Sequence, residues 1–170
     1  MEYKGKKRYQ LADEGLNKGP VLNFRGRSEH GLDGKGRLSL PARFQEVLRV
    51  QYRDERLMVS PWQNCVKIYP LARWEEFEAT LQATCRQQPE TIKMARFILG
   101  GVVECVPDRQ SRIILPLKMR TDCRLDREVL VSGMISYFEI WDKAAWEADN
   151  HPAPEDFRNF ELNLLEHGLF

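Results

Sequence analysis

The sequence predicts an α+β fold in which one small unit of strands and helices occurs twice, with helices flanking the strands. In residues 33–44 an Asp, an Arg, a Leu and a Pro stand at places that recur identically in residues 108–119, 75 positions later. Two short apolar strands and a tryptophan then recur in the same order at an offset of 72. Landmarks repeated in order indicate an internal duplication.

The first unit is predicted to begin with a strand over residues 24–32, which runs into a turn at 33–34 where Asp and Gly are typical turn residues. Residues 38–40 alternate as in a half-buried strand. Pro41 fits the first turn of a following helix over 42–50. The apolar residues of that helix share one face at i, i+3 and i+4; they are Phe44, Val47 and Leu48.

The remaining elements of the first unit are predicted strands at 57–61 and 66–69, an amphipathic helix at 71–81 and a linking helix at 91–99. The second unit repeats this order. Residues 102–106 open it, 129–133 correspond to 57–61, 138–141 correspond to 66–69, and Trp146 corresponds to Trp74.

Three segments follow from this pattern. Residues 1–23 are polar and lack periodicity, so they are predicted to form a flexible N-terminal extension. Residues 24–95 form the first repeat with its linking helix, and residues 96–170 form the second repeat with a C-terminal helix. A unit of about 70 residues buries a limited core, so the two copies are expected to share one. The acidic end at 155–170 is predicted to be a closing helix that packs on the pair or on a neighbouring subunit.

Composition restricts the class of protein. No apolar run reaches the roughly 18 residues of a membrane span, and the basic N-terminus lacks the apolar region of a signal peptide. The four cysteines have no C-x-x-C spacing, which favours buried thiols and a cytoplasmic location. The net charge is +1, but residues 24–56 carry +3 and residues 139–170 carry −6. This asymmetry indicates one face for a polyanion, although ordinary solvated surfaces explain it equally well.

The sequence lacks the residue spacings that known catalytic, cofactor-binding and metal-binding motifs require. Ser28 and His30 share a strand face without a third partner at a recognisable position. The glycines around Lys35 do not have P-loop spacing, and no His, Cys or Asp cluster has the spacing of metal ligands. We therefore predict no catalytic residue, no cofactor, no metal, no small-molecule substrate and no enzymatic activity.

The duplicated Asp-x-x-x-Arg has two interpretations. An Asp in a turn accepts backbone N–H bonds and pairs with the Arg of the return strand, which would make the motif a feature of the fold alone. Alternatively, an Arg that projects from a turn contacts phosphate or a guanine edge. Both interpretations hold if the Asp positions the Arg and the Arg contacts DNA. The candidate DNA-binding residues are Arg37, Arg112, Lys35, Arg109, Arg25 and Arg27, the last two on a shared strand face, and the positioning residues are Asp33 and Asp108.

These motifs resemble the MraZ family. The resemblance rests on Phe24-Arg25-Gly26, on the stretch 33–44 and on the second Asp-x-x-x-Arg with its proline, and it covers about residues 24–165. It implies tandem AbrB-like swapped-hairpin β-barrel units and chains associated side by side into a closed ring. It further implies a cytoplasmic, nucleoid-associated transcriptional regulator that binds direct repeats in the promoter of its own cell-division and cell-wall operon. In the family the Asp-x-x-x-Arg loops face double-stranded DNA.

Two other functions stay open at this point. One is a ring-forming scaffold whose acidic end recruits a protein partner. The other is an enzyme that depends on Ser28 and His30, which has the weaker support because no third group completes the pair.

Overall fold

The computed structural model describes residues 22–168. Residues 1–21, which make up most of the predicted N-terminal extension, and residues 169–170 lie outside this range. The strands are β1 (Arg27–Gly31), β2 (Arg37–Ser39), β3 (Leu57–Pro61), β4 (Cys65–Pro70), β5 (Val103–Cys105), β6 (Arg112–Ile114), β7 (Glu128–Gly133) and β8 (Phe138–Asp142). The α-helices are α1 (Ala42–Val47), α2 (Leu71–Gln87), α3 (Ile92–Gly101), α4 (Leu117–Asp122), α5 (Lys143–Asp149) and α6 (Pro154–Glu166).

The elements of both halves follow one order: two strands, a helix, two strands and two helices. This order agrees with the predicted order of elements, including the opening strand of each half and the helices that follow α2 and α5. The predicted boundary between residues 95 and 96 falls inside α3 and stays a prediction. The linking helix predicted at 91–99 is confirmed as α3, which a 3₁₀ turn at Pro89–Thr91 precedes.

The two halves exchange strands. The main sheet has the order β1-β7-β8-β4-β3-β5, so the opening strand of each half pairs antiparallel with the third strand of the other half. The order is a palindrome when each strand is replaced by its counterpart. β2 and β6 pair with each other in a separate two-stranded ribbon.

The result is a mixed α/β fold with antiparallel pairing between its strands. The sheet of the described residues is open, because β1 and β5 lie at its two edges. The closed barrel in the predicted fold class is therefore not confirmed.

The larger of two hydrophobic clusters in residues 22–168 serves both halves, in agreement with the expected shared core. At its centre the rings of Phe24, Phe44 and Phe138 meet at centroid distances of 5.1–5.2 Å. Residues from β2 and β6, from the β3–β4 hairpin and from the β7–β8 hairpin complete this core. Because neither half encloses its own core, we expect the two halves to fold as one unit.

A charged pair lies where the two halves meet in the main sheet. Lys67 of β4 is opposite Glu139 of β8, and the two residues are counterparts at the offset of 72. Lys67 Nζ lies 3.5 Å from Glu139 Oε1 and 4.0 Å from the ring centroid of Trp62. Trp141 Nε1 donates a hydrogen bond of 2.9 Å to Glu139 Oε2. The residue Glu139 is 7% exposed, so both partners bind a carboxylate that is largely shielded from water.

The helices differ from the predictions at several places. One helix was predicted over 42–50, but α1 ends at Val47 and a π-helical turn follows at Leu48–Tyr52. α2 extends to Gln87 rather than ending at residue 81, because residues 82–87 contain neither Gly nor Pro and Pro89 is the first residue that interrupts it. The predicted closing helix forms as α6, but most of its apolar side chains are exposed instead of packed on the pair; packing on a neighbouring subunit stays a prediction. None of the helices between residues 22 and 168 combines the length and apolar character that crossing a membrane requires.

Candidate nucleic-acid interface

The first Asp-x-x-x-Arg forms a tight loop built around the carboxylate of Asp33. The backbone N–H groups of Lys35 and Arg37 both donate to Asp33 Oδ1 at 2.9 Å. Arg37 Nε donates to Oδ2 of the same carboxylate. A backbone bond from Gly36 N–H to the carbonyl of Asp33, 2.9 Å long, closes the turn.

The second loop has the same architecture. The N–H groups of Gln110 and Arg112 donate to Asp108 Oδ1 at 2.8 and 3.0 Å. Arg112 binds Oδ2 with two groups, Nε at 2.9 Å and Nη2 at 2.7 Å. The Asp–Arg hydrogen bonds are therefore present in both loops, whereas the role of Asp in positioning Arg for DNA and the DNA contact itself stay predictions.

The fourth residue of each loop adopts left-handed backbone. In the first loop this residue is Gly36, with φ of 77°, and a Cβ there would lie 2.6 Å from the carbonyl oxygen of Leu115. In the second loop it is Ser111, with φ of 56°. Glycine adopts this conformation without steric cost, and the contact with Leu115 means that the first loop has no room for a side chain at this position.

The loop carboxylates are strongly acidic. The backbone N–H and then the side chain of Arg37 lower the pKa of Asp33 from 3.8 to about 2. The side chain and then the backbone N–H of Arg112 lower the pKa of Asp108 from 3.8 to about 2. Both loops are therefore held by ionised carboxylates at neutral pH.

These pKa values predict a specific pH dependence of stability. A lowered pKa in the folded state contributes stability that is complete above the ordinary value of 3.8 and is lost as pH falls through about 2. We expect the combined Asp33→Asn and Asp108→Asn variant to be less stable than wild type at pH 6, with the difference narrowing toward pH 2. Denaturant unfolding across that range measures it. Asp149→Asn, at an exposed carboxylate, is the control, and a difference that stays constant with pH contradicts the prediction.

Both arginines lie on one face of the β2–β6 ribbon. The register pairs Arg37 with Ile114 and Ser39 with Arg112, and between them Leu38 pairs with Ile113. Leu38 and Ile113 are fully buried, so the first four residues point to the opposite, outer face. The two arginines are diagonal neighbours on that face, about 7–8 Å apart at Cα.

The other predicted cations differ in their placement. Lys35 and Arg109 are exposed at the tips of the two loops, but at the offset of 75 they are not counterparts, because Lys35 corresponds to Gln110. Neither side chain is hydrogen-bonded to another residue in the range 22–168. The two loops thus present one unengaged cation each, one position apart.

Arg25 and Arg27 were predicted to share a strand face, and this argument is wrong. Arg25 precedes β1, and Gly26 between them has a φ of 78°, so strand alternation does not apply. Both side chains are exposed, and the Cζ of Arg27 lies 5.9 Å from the ring centroid of Trp146.

The sequence did not predict a side-chain to backbone hydrogen bond that occurs near the loop in each half. Gln45 Nε2 donates to the carbonyl of Leu40 at 2.8 Å, and Arg120 Nε donates to the carbonyl of Leu115 at 3.1 Å. Both donors and both acceptors are counterparts at the offset of 75. The signal was the shared spacing of five residues, but Gln and Arg are not similar enough to suggest a common role.

The Ser28–His30 pair forms as predicted. Ser28 Oγ lies 2.8 Å from His30 Nε2, and burial lowers the pKa of His30. Within residues 22–168 no carboxylate hydrogen-bonds to His30, so the arrangement lacks the third member of a nucleophilic triad.

Comparison with known proteins places both halves in one family. Residues 23–96 and 98–160 match the family described as "MraZ protein, putative antitoxin-like". A protein of Syntrophobacter fumaroxidans named transcriptional regulator MraZ is 38% identical over 125 residues, which are 74% of this chain and 83% of that protein. Proteins of the same name are 34% identical over 143 residues in Desulforamulus reducens (84% and 98%) and 39% identical over 124 residues in Moorella thermoacetica (73% and 84%).

Proposed function

The chain belongs to the MraZ family of transcriptional regulators, and on that premise we propose that it binds direct repeats in the promoter of its own cell-division and cell-wall operon. The family is not enzymatic, in agreement with the prediction of no enzymatic activity. The proposed partner is double-stranded DNA, which implies a cytoplasmic, nucleoid-associated protein.

The observation that carries this proposal is the outer face of the β2–β6 ribbon. A two-stranded antiparallel ribbon fits the major groove of B-DNA, where side chains reach base edges. Arg37 and Arg112 lie on this face, and each loop carries one further exposed cation at its tip. Arginine is the residue type that most often reads guanine.

We assign different roles to the loop residues. Asp33 and Asp108 hold the arginines in place and do not contact DNA. The two Nη groups of Arg37 and the Nη1 group of Arg112 are not used in the bonds to these carboxylates and can reach a base or a phosphate. Lys35 and Arg109 are assigned to phosphates, because contacts from such exposed cations to phosphate orient the protein on DNA and do not read the base sequence. Arg25 and Arg27 extend the basic surface.

A ring of identical chains explains how a protein with a net charge of only +1 holds DNA. A single chain presents few basic contacts, whereas several subunits on tandem repeats turn later contacts into intramolecular ones. We therefore propose that the chain acts as a homo-oligomer with regularly spaced loops.

Footprinting and mobility shifts of the region upstream of the gene test the proposal. We expect protection of short direct repeats and an affinity that falls steeply between 50 and 200 mM salt, with a logarithmic slope of about 0.9 for each neutralised phosphate. A shuffled duplex of equal composition is the control. Equal affinity for the repeats and the shuffled duplex contradicts sequence-specific regulation and favours the scaffold.

A further inference from the structure

The outer face of the β2–β6 ribbon carries the same residues in both strands except at one pair of positions. At the offset of 75, Arg37 corresponds to Arg112, whereas Ser39 corresponds to Ile114. The register places Ile114 opposite Arg37 and Ser39 opposite Arg112. Each arginine therefore has a different neighbour across the ribbon, an isoleucine in one case and a serine in the other.

Ile114 is an apolar side chain in a polar setting. It is 54% exposed, although its neighbours on the outer face are two arginines and a serine. Strand propensity does not account for it, because β2 forms with Ser39 at the equivalent position. Packing does not account for it either, because Leu38 and Ile113 fill the buried face of the ribbon. The isoleucine is thus available to a partner of the outer face.

The backbone determines how close Ile114 stands to Arg37. The N–H of Leu115 donates to the carbonyl of Gly36 at 2.8 Å, so the next pair along the ladder, Arg37 and Ile114, is of the non-hydrogen-bonded type. The Cα atoms of such a pair are about 4.5 Å apart. Successive base pairs of B-DNA are about 3.4 Å apart. A base that Ile114 contacts therefore lies next to the base that Arg37 reads.

We propose that Ile114 contacts the C5-methyl group of a thymine next to the guanine that Arg37 reads, and that this contact gives the DNA site its direction. The contact rests on the proposed function, in which the outer face of the ribbon enters the major groove. The methyl group of thymine is the apolar group that base edges present there. The arginines on the same face attract a polyanion, which favours DNA over an apolar protein surface as the partner of Ile114.

The isoleucine distinguishes the two orientations of the ribbon on DNA. A recognition site mirrors the symmetry of the protein surface that reads it, so a ribbon with identical outer residues in both strands would read a palindrome. Direct repeats instead require every copy to be read in the same orientation. The difference between Ser39 and Ile114 supplies that orientation, because it favours thymine beside Arg37 and not beside Arg112.

Replacing each thymine of the protected repeats in turn by deoxyuridine, which lacks the methyl group, tests the contact by fluorescence anisotropy. For the wild type we expect one position next to a guanine to lower affinity about fourfold per repeat, as the loss of one buried methyl group does. Ile114→Ser should bind the thymine and deoxyuridine duplexes equally. Val50→Ser is the matched control, because Val50 is 50% exposed but lies in the π-helical turn after α1, and it should keep the wild-type sensitivity.

Exchanging the two residues tests the direction. Ser39→Ile combined with Ile114→Ser should move the sensitive thymine to the opposite strand, next to the guanine that Arg112 reads. A sensitive position that does not move overturns the proposal. A wild-type protein that prefers the repeats to a shuffled duplex but responds to no thymine methyl group refutes the contact and leaves the proposed function standing. Equal binding of the repeats and the shuffled duplex refutes the proposed function, and the contact with it.

Discussion

Replacing Lys67 with methionine is expected to lower the free energy of unfolding by about 3 kcal/mol, because it leaves the buried carboxylate of Glu139 without its cation. Lys67 and Glu139 have side chains that are only 19% and 9% exposed, so water compensates little for the loss. The remaining partner, the indole N–H of Trp141, satisfies one oxygen and supplies no charge.

Denaturant unfolding of a double-mutant cycle measures this effect. Lys67→Met combined with Glu139→Gln should recover most of the stability, since the amide oxygen still accepts from Trp141 and no charge is buried. Lys118→Met is the control, because Lys118 forms a comparable pair with Asp122 on an 85% exposed side chain and should cost less than about 1 kcal/mol. Equal losses for Lys67→Met and Lys118→Met refute the argument.

The position of this pair shows what duplication allows. Residues 67 and 139 are counterparts, so two separate chains with one unit each would place identical residues opposite one another. A chain that contains both units can place opposite charges at this point. The pair therefore favours pairing between the two halves of one chain over pairing between like halves.

The order of elements and the buried faces could be predicted from the sequence, because alternation, turn residues and prolines act locally. The strand partners could not. Alternation indicates which face of β1 is the less exposed one, but not that β1 pairs with β7 of the other half. The ion pair between β4 and β8 could not be predicted for the same reason, because only the register of these strands places Lys67 opposite Glu139.

The candidate site shows the same division. The pattern Asp-x-x-x-Arg predicted the internal geometry of both loops, because the bonds to each Asp carboxylate come from within five residues. The placement of Arg37 and Arg112 on one outer face depends on the pairing of β2 with β6, which is long-range. The shared face of Arg25 and Arg27 failed because the left-handed backbone of Gly26 interrupts the strand that the pattern assumed.

Removing both loop-tip cations, with Lys35→Ala and Arg109→Ala combined, is expected to lower affinity for the promoter repeats by about 100-fold and to reduce the salt slope by about 0.9 for each lost phosphate contact. The reason is geometric. Arg37 and Arg112 are already engaged by the carboxylates of their own loops, whereas the two tip cations are exposed and unengaged within residues 22–168. The loss of affinity is large because every chain of the proposed ring loses the same two phosphate contacts.

The matched control is Arg86→Ala, an exposed cation in the last turn of α2 that is not part of either loop. It should leave affinity and salt slope near wild type. Arg37→Lys separates the roles further, since lysine keeps the charge but lacks the planar fork that can grip a base edge. That variant should bind the repeats and a shuffled duplex more equally, while the tip variant should weaken both. A tip variant with the affinity and slope of wild type would leave the DNA contact to Arg37 and Arg112 alone.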